Sequence, residues 1–151
     1  MTGASVAAML MGDEGVLPRS VDELEAAMRA QLPAVEIAPV HYFAAGLYAR
    51  EITIPAGTLL TGKIHKTRHL NVVSAGEISV WSEGEPVRRI RAPFTFVAEP
   101  GTRRVGYAHE DTVWTTVHAT HETDLEQLEA DLIEPHENPF LSPVEAPPCL
   151  G

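Results

Sequence analysis

The chain holds a single cysteine, Cys149, two positions before its last residue. An intramolecular disulfide framework and a cysteine-rich zinc site are therefore excluded, which fits a reducing compartment. Long apolar runs are also missing. The patch Val6–Met11 has no basic segment before it and is followed at once by Asp13 and Glu14, so neither a signal peptide nor a membrane span is expected and the chain reads as a soluble, cytoplasmic protein. Basic residues are scarce where they would matter for nucleic acid. Of 11 Lys/Arg and 21 Asp/Glu, residues 1–40 carry two against six and residues 122–151 none against eight, while residues 41–121 carry nine against seven. Without a basic stripe for phosphates the chain as a whole is not a non-specific nucleic-acid binder, and its acidic flanks read as solvated surface. There is no βαβ alternation, no Gly-rich phosphate loop and no Gly-x-Ser-x-Gly elbow around Ser74 or Ser79, which removes the common nucleotide-binding and hydrolase patterns.

What is present fits one domain. The 151 residues, 44% of them hydrophobic, suffice to bury a real core. Residues 1–40 form an N-terminal extension in which Ser20-Val-Asp-Glu23 reads as a capping box, and Val21, Leu24, Met28 and Leu32 recur at helical spacing before Pro33. A helix over about 20–32 is predicted. Residues 41–121 change texture to short β-rich runs, Leu47–Ile54, Leu59–His65, Leu70–Ser74, Glu77–Ser82, Val87–Arg91, Phe94–Ala98, Arg103–Ala108 and Thr112–Thr120. Turn chemistry at Pro55-Ala-Gly57, Ala75-Gly76, Glu83-Gly84 and Pro100-Gly101 separates them, a spacing that predicts an antiparallel sandwich or barrel. Trp81, Trp114, Tyr48, Phe94 and Phe96 are expected in its core or on its sheet faces, too irregularly spaced for a carbohydrate-stacking platform. Over 122–134, Thr123-Asp-Leu-Glu126 and the stripe Leu125, Leu128, Leu132 predict a second helix, packed on the outside of the sheet. Residues 135–151 form an acidic, proline-rich arm in which Phe140, Leu141 and Val144 are the apolar anchors.

Pro55-Ala-Gly57, His65-Lys-Thr-Arg-His69 and Gly76, taken together, resemble the first motif of the cupin superfamily. Ala92-Pro-Phe-Thr-Phe-Val and Glu99-Pro-Gly-Thr-Arg-Arg104 resemble the second. At finer grain Gly46–Glu51, Gly62–His65 and Asp111–Thr120 are similar to small cupin-like proteins of tailed bacteriophages and prophages. The resemblance implies a mainly β, RmlC-like jelly roll, or double-stranded β-helix. It also implies a metal site built from two histidines, a carboxylate and a final histidine. Aligned on Gly76, Lys63 takes the first histidine's place, His65 the second's, His69 the carboxylate's, and Arg104 falls where the last histidine belongs. Lys63 and Arg104 are not ligands at neutral pH, whereas His69 is a chemically sound replacement.

Strand alternation supplies a third ligand candidate, because it places His118 on one face with Trp114 and Thr116. His65, His69 and His118 are thus the candidate ligands of a divalent transition metal, with no organic cofactor implied. An alternative reading has Lys63 and Arg104 binding a small anionic ligand through charge-assisted hydrogen bonds. Two function classes follow: a small phage-type cupin binding metal or a small anion, and a noncatalytic assembly protein, such as a virion component, whose C-terminal arm grips a phage structural partner. The apolar strand residues exceed what a barrel of about 80 residues hides, so at least a homodimer is expected.

Overall fold

Residues 20–31 and 35–135 are described by the computed structural model. They comprise α1 (Val21–Gln31), β1 (Val40–Ala44), β2 (Leu47–Ile54), β3 (Leu59–Thr61), β4 (His69–Ala75), β5 (Glu77–Trp81), β6 (Arg88–Arg91), β7 (Phe94–Ala98), β8 (Val105–Ala108), β9 (Thr112–Ala119) and α2 (Leu125–Leu132). The arm beyond Pro135 lies outside the described residues. Two antiparallel sheets form, one ordered β1-β2-β9-β4-β7 and the other β3-β8-β5-β6. The runs expected at Leu47–Ile54 and Phe94–Ala98 are strands with those bounds. The run expected at Leu59–His65 is a strand only through Thr61. Residues 62–68 then cross irregularly to the other sheet and carry His65 with them.

Period-two alternation sets the inner face of the five-stranded sheet. One cross-strand rung is Arg50, Thr116, Asn71 and Phe96, and the next is Ile52, Trp114, Val73 and Phe94. The apolar rung packs with Ile54, Leu60, Ile78, Val80 and Ile90 into the main core. Toward the other end the rungs turn polar, with Tyr48 opposite His118 and His69 opposite Ala98. The outer face exposes Tyr42, Leu70 and Val97. Its central rung runs Tyr42, Ala49, Val117, Leu70, Val97 across all five strands.

α1 begins where the capping box predicts, with Ser20 Oγ accepting the Glu23 N–H at 3.1 Å. Its buried face, Val21, Leu24 and Met28, packs on Trp81 and Val105. Arg103 ties it down: its guanidinium reaches Asp22 at 2.6 Å and the buried Glu25 at 2.8 Å. Glu25 also accepts from Thr61 Oγ1 at 2.7 Å. Removing one partner of so enclosed a pair would leave an uncompensated charge.

α2 departs from its expected place. Asp124 caps it, accepting the Gln127 N–H at 3.0 Å, but Leu128 and Leu132 pack on Tyr48 of the inner face and not on the outer sheet. Leu125, the third member of the stripe, remains 48% exposed. The helix closes the polar end of the barrel. Its C-terminus is stitched to the crossing segment by Lys66 N–H to Leu132 O at 2.7 Å and Glu134 N–H to Ile64 O at 2.8 Å.

Candidate metal centre

Three elements converge beneath α2. His69 opens β4 and points inward because Asn71 and Val73 do. His118 is inward by the alternation of β9. His65 comes from the crossing segment and is held by a bridge to Ile133. All three are buried, and one ligand atom from each lies within 4.8 Å of the others. Ring centroids are separated by 4.3 Å (His65–His69), 4.7 Å (His69–His118) and 5.1 Å (His65–His118).

Hydrogen bonding sets which nitrogen faces inward. His69 Nδ1 lies 2.9 Å from the Thr67 carbonyl. A carbonyl only accepts, so Nδ1 carries the proton and Nε2 keeps its lone pair. That Nε2, like His118 Nδ1, is buried without a hydrogen-bond partner. Orienting a metal-ligating imidazole through its other nitrogen is the usual outer support of such a site. Burial pulls the His118 pKa from 6.5 down to about 4, with the His69 charge adding to it. Burial also lowers the His69 pKa, the Thr67 hydrogen bond opposes this, and Arg104 reinforces the lowering. At neutral pH these rings are therefore in the neutral form that binds metal.

The triad contains no carboxylate. Three imidazoles suit zinc, iron, cobalt, nickel or copper and give magnesium or calcium little to hold. Protein Zn–N bonds run at about 2.0–2.1 Å, so the residues fit an ion once the rings close modestly upon it. A cavity of about 180 Å³ reaches His65 and His118 beneath α2, lined also by His41, Tyr48, Arg50 and Lys63. Tyr48 stacks on His118 and shares a 2.7 Å hydrogen bond with His41.

Lys63 and Arg104, read from the sequence as anion ligands, add no metal-ligating atom to the triad. Lys63 stands at the cavity rim with its ammonium 2.5 Å from Glu129 of α2, so its charge is already balanced. Arg104 lies over the Phe96 ring at 5.3 Å. His109 shares a 2.7 Å hydrogen bond with Ser79 and does not join the cluster. Cys149 lies outside the described residues. Sequence reasoning passed over Asn71, although it lies two residues from His69 on the same strand face.

The buried, neutral His118 has a consequence for stability against pH. Its folded pKa is depressed, so its contribution is fully present above about 6.5 and is lost as pH falls toward about 4. At about 1.36 kcal/mol per pKa unit this amounts to about 3 kcal/mol. Chelator-treated protein is expected to lose that much more stability between neutral pH and about pH 4 than a His118→Gln variant, measured by chemical denaturation. Parallel pH profiles for the two proteins would contradict the assignment.

No protein-family model matches the chain, and no curated protein does. Solved structures do. An uncharacterized conserved protein with a double-stranded β-helix domain from Klebsiella pneumoniae superposes with a TM-score of 0.50 at 15% identity, over 59% of this chain and 81% of that one. KdgF from Halomonas sp. gives 0.48 at 23% identity, over 58% and 84%. An RmlC-like cupin family protein from Methanocaldococcus jannaschii gives 0.49 at 11% identity, over 60% and 86%. With its two antiparallel sheets and the Klebsiella likeness, the chain has the cupin-type double-stranded β-helix fold.

Proposed function

We propose that this protein is a metal-binding cupin that holds one divalent transition-metal ion on His65, His69 and His118, with the ion's remaining positions open to the barrel interior. The observation that carries the reading is the convergence of three buried imidazoles, two of which keep a buried nitrogen without a hydrogen-bond partner. A structural role leaves those nitrogens at a cost of about 1–3 kcal/mol each. When bound, such an ion supplies Lewis acidity and lowers the pKa of coordinated water. The chain's own contributions are separate. Thr67 holds the His69 tautomer, Tyr48 packs on His118, and Leu128 and Leu132 keep bulk water from the closed end. The sequence likeness at Gly46–Glu51 and Asp111–Thr120 supports placing it among the small phage-type cupins. Elemental analysis of freshly purified full-length protein tests the reading, with about one transition-metal ion per chain expected. A chain that stays metal-free after incubation with zinc, iron, nickel or cobalt salts rules it out.

A second reading, assembly, is favoured by the outer sheet face. Tyr42, Leu70 and Val97 on its central rung are 50%, 43% and 46% exposed. Its five strands hold 33 residues, which at about 3.4 Å rise and about 4.8 Å spacing present roughly 540 Å², about two-thirds of the roughly 800 Å² each partner of a standard interface contributes. A second copy meeting this face would cover the rung with its own. Leu70→Glu combined with Val97→Glu is expected to yield monomers by light scattering while metal content is kept. An unchanged mass, or a monomeric parent protein, rejects the interface.

A further inference from the structure

The barrel interior contains a hydrogen-bond donor that the metal reading does not use. Trp114 Nε1 donates to Asn71 Oδ1 at 2.9 Å, and Thr116 Oγ1 donates to the same oxygen at 3.3 Å. An indole N–H can only donate, so the amide oxygen must face Trp114 and the NH2 group is fixed on the other side. Asn71 is 1% exposed and its Nδ2 has no hydrogen-bond partner. Nearby, Asn71 pairs in register with Phe96, and the Arg104 guanidinium sits over that ring at 5.3 Å. Arg88 reaches the same aromatic pair, 4.7 Å from the Phe94 centroid and 5.9 Å from that of Phe96. Neither arginine has a carboxylate partner among the described residues; Glu99 pairs with Arg68 and Glu77 with Arg89.

Two guanidiniums gathered on two phenyl rings without a counter-ion, one of them half-buried, repel each other. Burial lowers the Arg104 pKa and the Arg88 charge adds to it. Cation–π contacts return only about 0.5–2 kcal/mol. They do nothing for the Asn71 amide. One oxyanion would satisfy both deficits, accepting from Nδ2 and from the guanidinium fork.

We propose that Asn71 Nδ2 and Arg104, backed by Arg88, form the carboxylate subsite of a small organic acid bound in the barrel, with Phe96 as its apolar wall. The acid's other end would face the histidine triad, since His69 lies two residues from Asn71 on the same inner face. In that respect the inference rests on the metal-binding reading, but its donors are present whether or not the ion is. The guanidinium fork accepts carboxylate and phosphate alike, but a single amide donor beside an apolar Phe96 wall favours the singly charged carboxylate of an organic acid over the more highly charged, fully hydrated phosphate.

The test titrates succinate, benzoate and inorganic phosphate into full-length protein, once chelator-treated and once zinc-loaded, by calorimetry and by tryptophan fluorescence, which reports on Trp114 together with Trp81. A carboxylate is expected to bind more tightly than phosphate. Arg104→Gln, at a half-exposed position, is expected to weaken carboxylate binding at least tenfold without loss of folding. Asn71→Asp, which replaces the donor by a second negative charge, is expected to abolish it. Carboxylate binding of equal affinity in both samples, with no zinc retained in the loaded one by elemental analysis, would uphold the subsite while refuting the metal site. Equal affinity in Arg104→Gln and the parent, phosphate binding tighter than either acid, or no binding of either acid in both states overturns the subsite.

Discussion

Replacing His65, His69 or His118 singly by alanine is expected to weaken zinc binding about 100-fold or more and to bring the retained metal from about one ion per chain to near zero after dialysis. The magnitude follows from the donor set. With three protein ligands and no carboxylate in the cluster, loss of one leaves two neutral imidazoles, and even outer-shell changes at metal sites cost about 10–100-fold. His109→Ala is the matched control, since His109 bonds to Ser79 and stands outside the triad. Stability separates a ligand from a packed histidine. A bound ion stabilises only the folded state, so each triad variant should lose more thermal stability relative to the parent in zinc than in chelator. Equal losses in the two conditions, or full metal retention by all three variants, would reduce the triad to a stacked histidine cluster.

Parts of this site were legible because they depend on local rules. Alternation places Trp114, Thr116 and His118 on one face, and the strand shows them buried together. Turn residues located the hairpins, so most strand bounds agree within two residues. His65 and His69 came from a motif likeness, since the segment between β3 and β4 follows neither a helical nor a strand period. What stayed hidden was long-range. A leucine stripe says which face of α2 is buried but not what buries it, and the answer was Tyr48, about eighty positions earlier. The partner of Lys63 is Glu129 on that same helix, which no spacing in the barrel reveals. Strand β1 went unread because its burial does not alternate cleanly. Its pairing with β2 holds it in the sheet. Asn71 had a readable signal, a polar residue two places from His69 on a strand of Leu and Val. Its missing acceptor emerged only when Trp114 was seen on the amide oxygen.

Gly76→Ala is expected to be the most damaging alanine substitution among the five glycines of positive φ, lowering stability by about 4 kcal/mol or more. Two penalties combine there. Gly76 sits at φ +88°, a left-handed conformation that costs an L-residue about 1–2 kcal/mol. A Cβ on Gly76 would also lie 2.3 Å from the Asp111 carbonyl oxygen, 2.6 Å from Thr112 Oγ1 and 2.7 Å from Thr112 Cα. Two of these atoms are backbone, so no rotamer change relieves the contact. Gly57 isolates the first penalty, because it has φ +81° but nothing within 4 Å of its added Cβ; Gly57→Ala should cost about 1–2 kcal/mol only. Domains of this size are commonly stable by about 5–15 kcal/mol, so Gly76→Ala should place a measurable fraction of chains unfolded at 37 °C. The strain also reaches the metal centre. Thr112 begins the strand that carries His118 next to its last residue, and Gly76 immediately follows the strand that begins with His69. Any shift that accommodates the methyl therefore pulls on two ligands at once, and zinc affinity should fall in the folded fraction as well. Equal denaturation midpoints for Gly76→Ala and Gly57→Ala would mean that residues 111–112 move aside freely, and the two sheets would then be less tightly locked at this hairpin than the close approach implies.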